Sequence, residues 1–303
     1  MKPKLSVGSW AYCFGPYSSK PIDFETVVRR LAQLRFDGVE ICGFRPHIHA
    51  DDYESPAKVK KLKDLLAKYK LSPSGYAPDF TQVPPTTEAA LKNDAYLRTF
   101  EKNLNLCVAL GIPSIRVDCV SPPTLPPGVD HATAWKRVVG LWQKCAELAA
   151  QARVKLVWEF EPGFCFNKPS EIVRLVADVG HPNFSVLFDT CHAHMVSVVA
   201  ARQPEPKETL KGGAVELAGL LKGRIGHIHL IDSDNTLHDN ETSTHAPFGT
   251  GVLDFDKLIP AILDAGYDGE WWTVDLCFWP HAWEVTEAAK GFLARFVEKY
   301  GEK

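Results

Sequence analysis

Eight short runs of β-branched and aromatic residues, separated by longer amphipathic stretches, constrain this chain more than any other feature. The runs fall at 5–11, 38–43, 72–77, 114–120, 155–161, 184–190, 225–231 and 270–277. Between them lie helical patterns at 24–34, 57–69, 90–110, 135–152, 170–179, 215–221, 255–265 and 283–300. Asp23, Ser170 and Asp254 stand where helices should start, because short polar side chains accept from the free N–H groups of a first turn. Gly111, Gly180 and Gly266 stand where helices should stop. Strands that alternate with helices return to the sheet through helical crossovers, which makes them parallel. Sharing 303 residues among eight units gives about 38 each, a fitting size for one unit of a (β/α)₈ barrel. An open doubly wound sheet would want a glycine-rich phosphate turn after its first strand, but the chain reads Gly8-Ser-Trp-Ala-Tyr12 there. The expectation is an α/β chain folded as one (β/α)₈ TIM barrel domain over 1–303.

Charge and composition narrow what such a barrel does. With 34 basic against 37 acidic residues, the chain has no surplus to neutralise a phosphate backbone, so nucleic acid is not an expected partner. No apolar stretch approaches the ~20 residues that span a bilayer, so no membrane is expected either. The N-terminal Met-Lys-Pro-Lys runs straight into the first strand without the pattern of a signal peptide, and the expected location is the cytoplasm. None of the eight cysteines falls in a C-x-x-C pair, which points to reduced, buried thiols. Proline-rich stretches at 121–129 and 203–207 follow the fourth and sixth strands, on the face where barrels carry their chemistry.

Side-chain alternation along the last four strands defines a candidate site. At 155–161 the apolar Leu156, Trp158 and Phe160 share one face, which belongs outward under the helices, so Glu159 and Glu161 point inward. The same alternation sends Asp189 inward at 184–190, His227 and His229 at 225–231, and Asp275 at 270–277. Glu159, Asp189, His229 and Asp275 therefore form a ring at the barrel mouth. Three carboxylates gathered there need a cation. Three oxygens and one imidazole suit one divalent metal ion, Mn²⁺ first, with Mg²⁺, Co²⁺ or Zn²⁺ as alternatives. From the first half of the barrel, Trp10, Arg45 and His47 are candidate substrate contacts, with Glu161 beside the ring. Asp118 has inward parity, Phe164, Phe166, Phe278 and Trp279 are candidates to wall the mouth, and Gly249-Thr-Gly251 is a candidate anion-binding turn.

The chain resembles the xylose isomerase-like family of sugar isomerases and epimerases. The matching segments are Trp-Glu-Phe-Glu-Pro-Gly at 158–163, Phe-Asp-Thr-Cys-His-Ala-His at 188–194, His-Ile-His-Leu-Ile-Asp at 227–232 and Phe-Gly-Thr-Gly-Val-Leu-Asp-Phe at 248–255, with the Trp-Trp-Thr-Val-Asp strand. The resemblance implies that Glu159, Asp189, His229 and Asp275 bind the metal and that His192 touches a substrate oxygen. It implies proton abstraction next to a carbonyl through a metal-stabilised enediolate, with Glu159 as base and Asp275 or a histidine opposite. Two positions depart from the ketose epimerases: Asp275 replaces a glutamate, and Asn235 stands where they carry an arginine. The expected function is a divalent-metal sugar isomerase or epimerase with a small-molecule sugar substrate and room for a homo-oligomer. The alternative is a lyase or dehydratase on a keto-sugar or keto-glycoside, as in inosose dehydration or C-glycoside cleavage. A barrel that only binds sugar is a third reading. The apurinic-site endonuclease branch is disfavoured, because the fourth strand ends Val-Asp-Cys-Val without a histidine and Ser243-Thr-His245 replaces an Asp-x-His pair.

Overall fold

A computed structural model describes residues 2–301. Eight parallel strands form the central sheet: β1 (Lys4–Val7), β2 (Gly38–Gly43), β3 (Ser72–Pro78), β4 (Ser114–Val117), β5 (Lys155–Glu159), β6 (Phe184–Asp189), β7 (Ile225–Leu230) and β10 (Trp271–Val274). Their order is β1-β10-β7-β6-β5-β4-β3-β2, and a parallel bridge from Gly8 to Glu40 brings the two edges together. This is the (β/α)₈ TIM barrel that the alternation predicts. The outward faces pack as the apolar alternation requires: Trp158 of β5 lies 5.5 Å, centroid to centroid, from Trp142 of the helix outside it. No helix of the described residues is long and apolar enough to cross a membrane. All eight cysteines are buried and unpaired.

The helices between the strands are α1 (Phe24–Gln33), α2 (Pro56–Tyr69), the short α3 (Glu88–Leu91) with α4 (Ala95–Leu110), α5 (His131–Gln151), α6 (Pro169–Val179), the short α7 (Thr190–His194) with α8 (Gly213–Leu220), α9 (Phe255–Asp264) and α10 (Ala282–Tyr300). Asp23 and Asp254 cap α1 and α9 as expected, accepting from the N–H groups of Thr26 and Asp256. Ser170 does not cap α6. The helix begins at Pro169 with Lys168 in the cap position, and Ser170 donates instead to Glu208, tying α6 to the loop at 205–208. Gly111, Gly180 and Gly266 take positive φ just past α4, α6 and α9.

Several strands stop short of their expected ends. The first run turns into a short 3₁₀ segment at Ser9–Tyr12, so Trp10 leaves the sheet and leans over the mouth. One structure has no counterpart in the sequence reading: an antiparallel hairpin of β8 (Asp232–His238) and β9 (Thr242–Ala246) rises directly from β7. The Gly249-Thr-Gly251 turn that follows is not free for a ligand. Its N–H groups at 249 and 251, with that of Leu253, all donate to the buried Asp232 carboxylate, at 3.0–3.1 Å. The anion that this turn cradles is the protein's own.

Candidate metal centre and active-site cavity

The inward side chains of β5, β6 and β7, with Asp275 just beyond β10, meet as the alternation predicts. One ligand atom from each of Glu159, Asp189, His229 and Asp275 lies within 4.8 Å of the others, and all four residues are buried. Register explains the depth, because Asp189 and Thr273 both pair with His229 across neighbouring strands. His229 Nδ1 is 3.0 Å from Glu159 Oε1 and 3.4 Å from Asp275 Oδ2. Yet Glu159 Oε1, Asp189 Oδ2 and His229 Nδ1 have no hydrogen-bond partner. Buried polar atoms are almost always paired, so three orphans brought together mark a donor set suited to a ligand. Three carboxylate oxygens and one imidazole nitrogen fit a divalent cation. Burial pushes Asp189 up to about 7. One more positive charge at that point would keep all three carboxylates ionised together.

Side chains behind the ring fix its orientation. Glu40, on β2, is 1% exposed, and its Oε2 accepts from His227 Nε2 at 2.6 Å and His229 Nε2 at 3.2 Å. An ionised carboxylate only accepts, so His229 carries a proton on Nε2, and Nδ1 is the nitrogen turned to the ring, whose lone pair a cation would take. Burial alone would raise Glu40, but the two imidazoles outweigh it and hold the carboxyl well below its usual range. Gly75 makes room for this carboxylate, since a Cβ there would lie 3.0 Å from Glu40 Cδ. On the other side, Asp275 Oδ1 accepts from Trp10 Nε1 at 2.9 Å and from the Cys277 N–H at 2.8 Å.

Glu159 is held at its outer oxygen. Arg116 of β4 donates to Glu159 Oε2 and also pairs with Asp118 at 3.2 Å. Burial would raise the Glu159 carboxyl, but Arg116 first and then His229 outweigh it and keep it at about 2. Its neighbour Glu161 feels Arg116 only at a distance, since that guanidinium is paired with Glu159 and Asp118. Burial pushes Glu161 up to about 8, even though Thr242 of the hairpin donates to it. His192 bridges these groups: its backbone N–H donates to Asp189 Oδ1, its Nδ1 meets Ser243 Oγ at 2.8 Å, and its Nε2 lies 3.5 Å from Glu161.

Above the ring opens a cavity of about 490 Å³, lined among others by Trp10, Arg116, Glu159, Glu161, His192 and Asp275. Two expected substrate contacts lie outside it. Arg45 is exposed and forms a two-pronged salt bridge with Asp52, at 2.8 and 3.0 Å. His47 is buried beneath the loop, with Nε2 2.9 Å from the Ile22 carbonyl and Nδ1 3.3 Å from Ser9 Oγ. Both turn away because the segment after β2 folds back on itself and on α1. Phe164 and Phe278 line the cavity, whereas Phe166 packs against Trp135. Three residues join the site without having been singled out for it. Glu40 and Arg116 obey the alternation of their strands, between Val39 and Ile41 and between Ile115 and Val117. His245 arrives on the hairpin, its unpartnered Nε2 3.9 Å from Asp189 Oδ1 and its ring 4.9 Å from that of His192.

Known proteins share this architecture. The family profile described as Xylose isomerase-like TIM barrel matches residues 28–293. Fructoselysine 3-epimerase of Escherichia coli O157:H7 is 24% identical over 270 residues, covering 84% of this chain and 86% of that protein. Inosose dehydratase of Lacticaseibacillus casei is 23% identical over 270 residues, covering 84% and 82%. Among solved structures, the IolI protein with a bound zinc atom superposes with a TM-score of 0.74 at 16% identity, covering 98% of this chain and 99% of that one. D-psicose 3-epimerase, solved in the presence of D-fructose, superposes with a TM-score of 0.71 at 20% identity, covering 97% and 99%. The chain belongs to the xylose isomerase-like TIM barrel family.

Proposed function

We propose that this chain is a divalent-metal-dependent sugar isomerase or epimerase that removes a proton from the carbon next to a carbonyl. The observation that carries this reading is the convergence of the orphaned Glu159 Oε1, Asp189 Oδ2 and His229 Nδ1 beside Asp275 under the cavity. The epimerase relatives and the zinc-bound structural neighbour support it. Glu159, Asp189, His229 and Asp275 would hold the divalent cation, which when bound would supply Lewis acidity for a substrate oxygen.

The chain's own residues do the rest. Glu159 lines the cavity, and Arg116 fixes its plane while favouring its ionised form, the form a base needs. Asp275 is pinned by Trp10 and the Cys277 N–H, so it holds position and does not swing to a second carbon face. Glu161 and His192 line the same cavity and are the groups left to steady a substrate hydroxyl or to return a proton.

The pinning of Asp275 also favours a second reading: a dehydratase or lyase on a keto-sugar. There the same abstraction by Glu159 is followed by loss of a leaving group, which needs one base and one acid rather than two bases on opposite faces. The test is incubation with a panel of ketoses and 3-keto-sugars in D₂O, with Mn²⁺, Co²⁺, Mg²⁺ or Zn²⁺ added. Deuterium at carbon in a product isomeric with the substrate establishes the isomerase or epimerase; loss of water or aglycone establishes the lyase. Absence of exchange with every sugar and every ion refutes both.

A further inference from the structure

The wall of the cavity is divided by the barrel order. Glu161, His192 and Thr242 follow β5, β6 and β7, and this side carries carboxylate, imidazole and hydroxyl groups. The segments after β1, β2 and β10 are neighbours across the barrel's closing edge and carry Trp10, Phe14, Phe44 and Phe278. These side chains form a second apolar cluster with Cys42 and Cys277, separate from the main core. Phe14 meets Phe44 edge-on at 5.1 Å between centroids and stacks on Phe278 at 6.4 Å, and all three remain half-buried at the mouth.

The side chains lining that side offer a sugar hydroxyl little. Phenylalanine has no polar atom, the single N–H of the Trp10 ring is already given to Asp275, and His238 lies outside the lining with its ring face stacked on Phe278 at 4.4 Å. A hydroxyl placed there loses its water without replacement, whereas an aromatic ring buries area and stacks. A phosphate tail would meet an acidic lining. Of the cavity's two arginines, Arg116 is taken by Glu159 and Asp118 and Arg202 donates to the Glu241 carbonyl, five carboxylates share the same lining, and the glycine turn at 249–251 is filled by Asp232.

We propose that the substrate is a neutral keto-sugar bearing an aryl substituent, with the sugar over the carboxylate–histidine ring and the aryl group against Phe14, Phe44 and Phe278. The keto-sugar half rests on the enolising function proposed above; the aryl half rests on the aromatic wall alone. The test is calorimetric binding to the Mn²⁺-loaded protein of two non-reacting probes, phenyl β-D-glucopyranoside and methyl β-D-glucopyranoside. The phenyl glucoside should bind at least about tenfold more tightly, and Phe14→Ala and Phe44→Ala should each cut that ratio by about threefold or more. Phe44→Leu, which nearly keeps the volume of the side chain, should lower the ratio as well, so a loss there does not come from collapse of the loop. Equal binding of the two probes, binding of neither, or a ratio unchanged in folded variants overturns the proposal. This readout requires no turnover, so a failure of deuterium exchange sinks the enolising function without altering the ratio.

Discussion

Glu40 is the residue whose replacement most sharply tests how the ring is built. Its Oε2 accepts hydrogen bonds from both His227 and His229, and Gly75 packs against its carboxylate. Glu40→Gln keeps the shape, so no cavity opens, but it removes the charge, and an amide oxygen in the place of Oε2 is a weaker, neutral acceptor for both imidazoles. Both imidazoles lose the charged acceptor that holds their Nε2 protons. For His229 this loosens its orientation and lowers the basicity of Nδ1, the atom aimed into the ring. Losing a partner of this kind behind a metal ligand costs 10–100-fold in affinity, about 1.4–2.7 kcal/mol. The assay is calorimetric titration of metal-free wild type and Glu40→Gln with Mn²⁺, with thermal melts alongside to show that both are folded. A folded Glu40→Gln protein whose Mn²⁺ affinity stays within about twofold of wild type would refute the assignment of Glu40 as the group orienting His229.

Other perturbations address the remaining parts of the site. Glu159→Gln should slow deuterium exchange into a ketose by at least about a hundredfold while the protein stays folded; retained exchange removes Glu159 as base. Arg116→Ala leaves Glu159 and Asp118 buried without their cation and should cost about 3–5 kcal/mol in urea unfolding, and a loss below about 1 kcal/mol contradicts the pairing. Gly251→Ala places a Cβ 2.3 Å from the Ser233 carbonyl and 2.4 Å from Asp232 Oδ1, so its melting temperature should fall by several degrees, a loss of about 1–3 kcal/mol. Mn²⁺ at about a hundred times its Kd should stabilise the wild type by about 2.7 kcal/mol, and Asp189→Asn should lose most of that gain.

Alternation carried much of this structure from the sequence. Trp158 and Phe160 could only be outward under helices, which forced Glu159 inward. The same logic on the next strands brought Asp189, His229 and Asp275 to one depth. Glu40 and Arg116 obey that alternation too, but what makes Glu40 matter is its partner His227, 187 residues away, and no local pattern announces such a pair. His245 was harder to find. It rides on β9, and the polar segment at 232–246 has no run of alternating apolar residues and pairs through a bulge between Ser233 and Leu237. Arg45 and His47 fail for a third reason: a loop side chain beside a barrel mouth turns toward whichever partner the loop itself supplies. Here those partners were Asp52, Ser9 and the Ile22 carbonyl.

The most direct test of the account is a crystal grown with Mn²⁺ and measured for anomalous scattering at the manganese edge. The account predicts a peak bonded to Glu159, Asp189, His229 and Asp275, with Glu40 still bound to the far nitrogen of His229. A protein that holds no manganese there at saturating concentration, or that gathers it elsewhere while these four side chains stay unligated, contradicts the account.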